Sequence, residues 1–200
     1  MYPNLDARSP EVVADTLFTM SMYHVTDVDL YRILVYDCPP LERKSHHPLT
    51  GQAVDFAALP GAAFRLSFHD RLKRKRKVAL RLGYLSGFNW VIKPFATKKL
   101  LNGSIGLNEL NRNDVEFDIS QKGVDMKIGI DITSLALKRM VNQIVLVSGD
   151  GDFVPAAKLA RREGVDVILD PMWASIGDSL HEHIDGLRST SPRPGGYPAS

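Results

Sequence analysis

The sequence predicts an α/β fold built on a mostly parallel sheet. Short apolar runs rich in strand formers alternate with helix-length segments along most of the 200 residues. Residues 143–147, 155–163 and 165–169 read as strand, helix and strand, a βαβ unit. Composition is that of a globular domain, 44% hydrophobic and 24% charged, enough for one sizeable core.

The elements follow in order. Ser9-Pro10-Glu11 starts a helix, with Ser as N-cap, Pro in the first turn and an acid beside it. Val13, Leu17, Met20 and His24 or Val25 give this helix one apolar face to about His24. Residues 30–36 are strand-like and end at Asp37-Cys38-Pro39-Pro40, where the prolines remove donors. Residues 41–53, with His46-His47, read as loop; 54–74 read as helix, broken or started at Pro60-Gly61. A second strand spans 78–85, with 90–95 as its hairpin partner across Ser86-Gly87-Phe88-Asn89. Residues 96–120 are polar and weakly periodic, so a surface insertion is expected over about 86–120. A helix runs from Lys122-Gly123-Val124-Asp125 to about Met140, and 178–187 reads as a last short helix. The domain is placed at 1–188, and 189–200, with three Pro and two Gly, as a disordered tail.

Bulk properties narrow the function classes. A net charge of +2 gives no global argument for nucleic acid, so any such argument rests on where charge is concentrated. Cys38 is the sole cysteine, which excludes an intrachain disulfide and fits a reducing compartment. No signal peptide or membrane-length apolar run is seen, so a cytoplasmic protein with no membrane partner is expected. There is no nucleophile elbow, no phosphate-cradling Gly-rich loop and no dinucleotide fingerprint. His46-His47 and His181-x-His183 are weak metal signals, and Cys38 lacks a paired His. A phosphotransferase would need a second Asp two residues after Asp37, and Pro39 stands there.

The richest stretch is Ser148-Gly149-Asp150-Gly151-Asp152-Phe153, directly after the apolar run 144–147. In open α/β sheets ligands bind beyond the carboxyl ends of the strands. Two carboxylates there, without soft ligands, suit a hard cation such as Mg²⁺ or Mn²⁺. The competing account is that Asp150 caps the next helix and Asp152 is a solvated turn residue. Upstream, Ile128, Asp131 and Leu135 share one helical stripe, so Asp131 faces the sheet and needs a cation, an Arg or Lys, or several donors. A structural salt bridge to Lys122 or Lys127 would also satisfy it. Asp125 sits at the helix start, where it is either a cap or a ligand. Asp37 ends an earlier strand at the same expected edge, as a supporting acid or a turn former. Such acid clusters hold divalent ions that activate water in phosphodiester hydrolysis.

Arg71-Leu72-Lys73-Arg74-Lys75-Arg76-Lys77 carries six cations in seven residues. It suits RNA phosphates, or equally a solvated helix end complementing the helix dipole. Lys73, Arg74, Lys75, Arg76, Lys77 and Lys122 are the candidate RNA contacts, and Tyr84, Phe88 and Trp90 are candidates for stacking on bases.

The stretch 122–170 resembles the NYN domain of the LabA-like branch of the PIN-like nuclease superfamily. The resemblance rests on Lys122-Gly123-Val124-Asp125, the helix with Asp131, Val147-Ser148-Gly149-Asp150-Gly151-Asp152-Phe153, and Lys158 to Gly164. Leu34-Val35-Tyr36-Asp37-Cys38-Pro39-Pro40 looks like that family's second strand. The resemblance implies a three-layer α/β/α fold and a Mg²⁺- or Mn²⁺-dependent ribonuclease acting on single-stranded RNA. Asp125, Asp131, Asp150 and Asp152 would hold the metal, and Ser148 would orient a carboxylate or water. The family opens with a strand ending in Asp, followed by Gly-x-Asn; here no strand is seen before Ser9, and no apolar strand positions Asn4 or Asp6. The first strand is therefore expected to be missing, through a truncated chain, a start assigned too far downstream or a member that lacks it, which makes a catalytically weak or inactive module with a regulatory or protein-interaction role the rival reading. Homo-oligomerisation stays open.

Overall fold

The computed structural model describes residues 8–193. Asn4, Asp6 and the last part of the expected tail, 194–200, lie outside the described residues. Helix α1 (Pro10–Met22) starts as its sequence dictates: the Ser9 hydroxyl accepts the Val12 amide at 3.3 Å. Strand β1 (Ile33–Asp37) is followed by β2 (Lys44–His46), β3 (Ala53–Asp55) and helix α2 (Pro60–Lys73). Strand β4 (Val78–Leu82) then pairs parallel with β1, placing Tyr36 opposite Arg81 and Asp37 opposite Leu82.

Strand β5 (Tyr84–Ile92), helix α3 (Pro94–Leu101) and strand β6 (Val115–Lys122) form an antiparallel arm. Residues 90–95 therefore do not return on 78–85 as the sequence suggested. The Gly87-Phe88 signal is used in a bulge, with φ of 98° and 57°, rather than in a turn, and Trp90 pairs with Phe117. The expected loop 41–53 is instead the antiparallel β2–β3 hairpin, which lies against this arm. His47 stacks on Trp90 at 4.7 Å, Phe56 on Phe117 at 4.5 Å, and the Trp90 indole donates to Ser45 Oγ at 3.0 Å.

Helix α4 (Val124–Leu137), strand β7 (Gln143–Val147), helix α5 (Val154–Arg162) and strand β8 (Asp166–Asp170) form the expected βαβ unit. After the short helix α6 (Asp178–His181), strand β9 (Gly186–Leu187) adds a third parallel strand. The core sits here: Ile132 and Ala136 of α4, Leu146, Phe153, the Ala156/Ala157/Ala160 face of α5, Val167, Leu169 and Leu180. Small side chains on α5 let that helix approach the sheet closely.

Helices cover both faces. Successive strand residues point to opposite sides. Tyr36 reaches Asp131 on α4, while Asp37 reaches His69 on α2, so α4 and α2 flank β1 on opposite faces. The expected single sheet is two parallel sheets, β1–β4 and β7–β8–β9, bridged by α4. Strands covered on both faces and paired on both edges are buried. Central β8 meets that description, with Val167, Leu169 and Asp170 at 2% exposure or less. In β1 no residue is fully buried, and in β7 only Leu146 is.

The end of α1 is clamped to the end of β8. The His24 ring donates from Nε2 to buried Asp170 at 2.9 Å, and Arg188 donates to His24 Nδ1 and to its carbonyl. Part of the segment expected to be disordered takes part in this clamp: Thr190 donates its amide to Asp170, and the Trp173 indole donates to the Ser191 carbonyl. No helix among the described residues is long and apolar enough to cross a membrane.

Candidate functional site

The carboxyl ends of the strands are brought together by a close approach at Gly83. A Cβ there would lie 2.5 Å from the Lys122 carbonyl, 2.8 Å from Val124 Cγ2 and 3.1 Å from Cys38 Sγ. The start of α4 is thereby pressed onto the ends of β1 and β4. Gly123 (φ 77°) makes the turn into that helix and serves as its N-cap. Asp125, a candidate cap in the sequence, makes no capping hydrogen bond; it lies exposed in the first turn. Helix α4 runs about 21 Å away from this edge, and β7 returns to it. Phe153, buried against Ile132, anchors the following loop on α4.

The acids have separate partners. Asp37 accepts from the Cys38 amide at 2.8 Å, Arg65 at 3.1 Å and buried His69 at 2.8 Å, so it locks the end of β1 to α2. Asp131 is half-buried, as its helical stripe predicted. The cation beside it is Arg81 of β4, at 3.2 Å, not Lys122 or Lys127, and the Tyr36 hydroxyl donates to the same carboxylate oxygen at 2.9 Å. Burial and the neighbouring Asp131 charge push the Tyr36 phenol above its ordinary range, so it stays a donor. Asp150 caps the 3-10 turn at 151–153, accepting the Asp152 amide at 3.0 Å, and Ser148 Oγ accepts the Asp150 amide at 3.1 Å. The capping account of Asp150 therefore holds, while its carboxylate and that of Asp152 remain exposed.

The fit to a divalent ion can be tested on this arrangement. Carboxylate oxygens are the right chemistry for Mg²⁺ or Mn²⁺. Among the described residues, however, no three Asp, Glu, His or Cys side chains lie as a metal-holding group. Asp125, Asp131, Asp150 and Asp152 do not form such a group, and Asp131 is already paired with Arg81. As arranged, the set does not fit the ion.

The basic segment lies elsewhere. The Ile33 amide donates to the Lys77 carbonyl, which puts residues 71–77 at the amino ends of β1 and β4. That is the far side of a strand about 17 Å long. Most of its cations are engaged internally: Arg71 with Asp15 through two bonds of 3.0 and 2.8 Å, Lys75 with Asp15 at 2.5 Å, Lys73 with Asp70 at 3.2 Å, and Lys77 with the Leu30 carbonyl. Arg74 and Arg76 are exposed at that end. Lys122, at the end of β6, stands at the carboxyl edge with Arg65 and Arg81. Arg65, His69 and Tyr36 carried no expected site role; the one local signal was the Arg65/His69 spacing on a single helical face.

The remaining candidates fill structural roles. Cys38 is fully buried, its thiol donates to the Tyr84 carbonyl at 3.6 Å, and burial raises its pKa, which argues against a nucleophile. His47 is buried and receives the Leu49 amide, and His183 bonds the Ser179 carbonyl.

Comparison with known proteins gives a family. The model of the NYN domain matches residues 66–183, more than half of the chain. An uncharacterised protein of Methanocaldococcus jannaschii is 24% identical over 123 residues, covering 60% of this chain and 49% of that protein. An uncharacterised protein of Sinorhizobium fredii is 37% identical over 68 residues, 32% of each chain. The chain thus spans about half the length, or less, of these curated relatives. On the domain match, the chain belongs to the NYN domain family, which is nuclease-like and of the PIN-like superfamily.

Proposed function

We propose that this NYN-family chain is a ribonuclease domain of the LabA-like kind, cytoplasmic, cutting single-stranded RNA at the carboxyl edge of its two parallel sheets. The observation that carries the reading is the loop 148–152, which presents the carboxylates of Asp150 and Asp152, exposed, directly beyond β7. That is where parallel α/β sheets take their ligands.

This chain's own residues have distinct parts in the proposal. Ser148 fixes the Asp150 backbone, and Asp37, through His69 and Arg65, fixes the end of β1. Lys122 and Arg81 supply positive charge for phosphate oxygens at the same edge. Mg²⁺ or Mn²⁺ would supply activation of water and neutralisation of phosphate charge. The domain match and the carboxylate-only donor chemistry support the reading.

A second reading, a cleavage-poor NYN module with a regulatory role, is favoured by one observation: Arg81 and Tyr36 already occupy Asp131. Asp150→Asn separates the two. Asn caps as well as Asp, so the variant should keep its melting temperature while losing RNA cleavage. Undiminished cleavage by Asp150→Asn overturns the nuclease assignment. No cleavage by folded wild type that still binds RNA favours the regulatory module.

A further inference from the structure

We infer that Tyr84 is a stacking platform for one unpaired base of the RNA, the contact that makes this edge prefer a single strand to a duplex. The inference rests on the reading of the carboxyl edge as an RNA site and names how the strand is held there. Three aromatic residues follow the basic segment in sequence, and the fold separates them. Trp90 is held within the arm: its indole donates to Ser45 Oγ, and its ring packs on His47 at 4.7 Å and Phe117 at 5.3 Å. Phe88 lies in the bulge under the Arg43 guanidinium, which is 4.8 Å from its ring centre. Tyr84 is 61% exposed, the most exposed aromatic side chain among the described residues. None of the ring–ring or cation–ring contacts among those residues involves it.

Single exposed apolar side chains are ordinary, so exposure alone decides nothing; position and support do. Tyr84 follows Gly83, where the β1–β4 sheet passes into the arm. It is fixed at three points. Its carbonyl accepts the buried Cys38 thiol at 3.6 Å, and its strand pairs with β6. One edge of its ring lies over Gly123, where a Cβ would sit 3.4 and 3.7 Å from ring atoms Cε1 and Cδ1. Gly123 is the N-cap of α4, so the ring stands at the start of the helix that carries Asp125 and Asp131. A ring already ordered before the ligand arrives loses little freedom when a base stacks on it. Lys122 is directly opposite Tyr84 in the β5–β6 register, and opposite residues project from the same face of an antiparallel pair. An exposed ring beside an exposed cation joins a stacking surface to a phosphate contact, the combination that holds single-stranded nucleic acid. In a duplex the base faces are stacked on one another, and the ring has no unstacked base to receive.

The test is fluorescence anisotropy of the full chain in EDTA with three labelled ligands: a single-stranded RNA, the same RNA as a duplex, and a strand of equal length built from abasic spacers. Wild type is compared with Tyr84→Ala, Tyr84→Thr, Tyr84→Phe and Tyr84→Trp. Tyr84→Ala and Tyr84→Thr, the latter a strand former without a ring, should bind the single-stranded RNA at least about fivefold more weakly, the low end for one stacked base. Their salt slope should not change, because no phosphate contact is removed. Tyr84→Phe and Tyr84→Trp keep a ring face and should keep wild-type affinity. Duplex and abasic strand should bind all five proteins alike. Unchanged single-strand affinity in the folded ring-less variants overturns the inference. So does equal weakening on the abasic strand, or a loss in Tyr84→Phe as large as in Tyr84→Ala. Loss of the fold in both ring-less variants also overturns it, because the ring would then be a structural tie. Cleavage that requires Asp150 beside binding indifferent to Tyr84 would sink the platform alone. Ring-dependent binding without cleavage by any form in Mn²⁺ would sink the nuclease reading alone.

Discussion

Gly83→Ala tests the contact that assembles the carboxyl edge. Its φ is not in the left-handed region, so the backbone itself tolerates alanine. Two effects compete. Replacing Gly stabilises by about 0.4–1 kcal/mol through the unfolded chain. Against that, the new methyl would lie 2.5 Å from the Lys122 carbonyl, a backbone atom tied into the β5–β6 arm, and 2.8 Å from Val124. Overpacking of this kind costs about 1–3 kcal/mol. The net is a loss of up to about 2.5 kcal/mol, or a fall in melting temperature of up to about 10 °C for a chain of this size. Gly129, inside α4, is the control: a Cβ there meets nothing within 4 Å. Gly129→Ala should gain about 0.5–1 kcal/mol from helix propensity alone. Thermal melts of the three proteins by circular dichroism at one pH give the answer. A Gly83→Ala protein as stable as Gly129→Ala would refute the close approach of α4 to the ends of β1 and β4.

Further outcomes follow from the same geometry. Burial alone would raise the Asp170 pKa, but hydrogen bonds from the Met172 and Thr190 amides, His24 and Ser189 outweigh it and hold it below the ordinary carboxylate range. A depressed carboxylate contributes stability above its unfolded pKa of about 4 and loses it as pH falls through the folded value. Wild type should therefore lose melting temperature as pH drops below about 4. Asp170→Asn should be less stable at pH 7, by roughly 2 kcal/mol, and should show a flatter acid limb; an equally steep limb contradicts this. For RNA binding, Lys122→Glu should weaken the affinity for a labelled single strand and reduce its salt slope by about 1. Arg74→Glu/Arg76→Glu, at the opposite edge, should change anisotropy titrations much less. The reverse order would move the RNA to the amino edge.

The sequence disclosed most where local pattern decides structure. The Ser9 cap, the apolar run of β7 and the helix over 155–163 each depend on neighbours within a turn or a strand, and each element stands within a residue or so of where its pattern places it. The inward direction of Asp131 was legible from the spacing of Ile128, Asp131 and Leu135, because helical periodicity fixes direction. Its partner was not legible. Arg81 comes from a strand 50 positions upstream, and which of its faces meets α4 is set by the β1–β4 register. The β5–β6 arm was missed for a similar reason. Trp90 and Phe117 pair across a helix and two short turns, a long-range contact with no local periodicity. Near the start of the arm, Gly87 fits a bulge as well as a hairpin turn. Charge density misled most: residues 71–77 look like a phosphate grip in one dimension, yet Asp15 of α1 takes two of those cations in the fold.

The nuclease reading is tested most directly by incubating a labelled single-stranded RNA with the wild-type chain in Mn²⁺, in EDTA, and beside Asp150→Asn. The account predicts cleavage by wild type in Mn²⁺ that disappears in EDTA and in the Asp150→Asn protein. Equal cleavage by the Asp150→Asn protein, or none by folded wild type at saturating Mn²⁺, would contradict it.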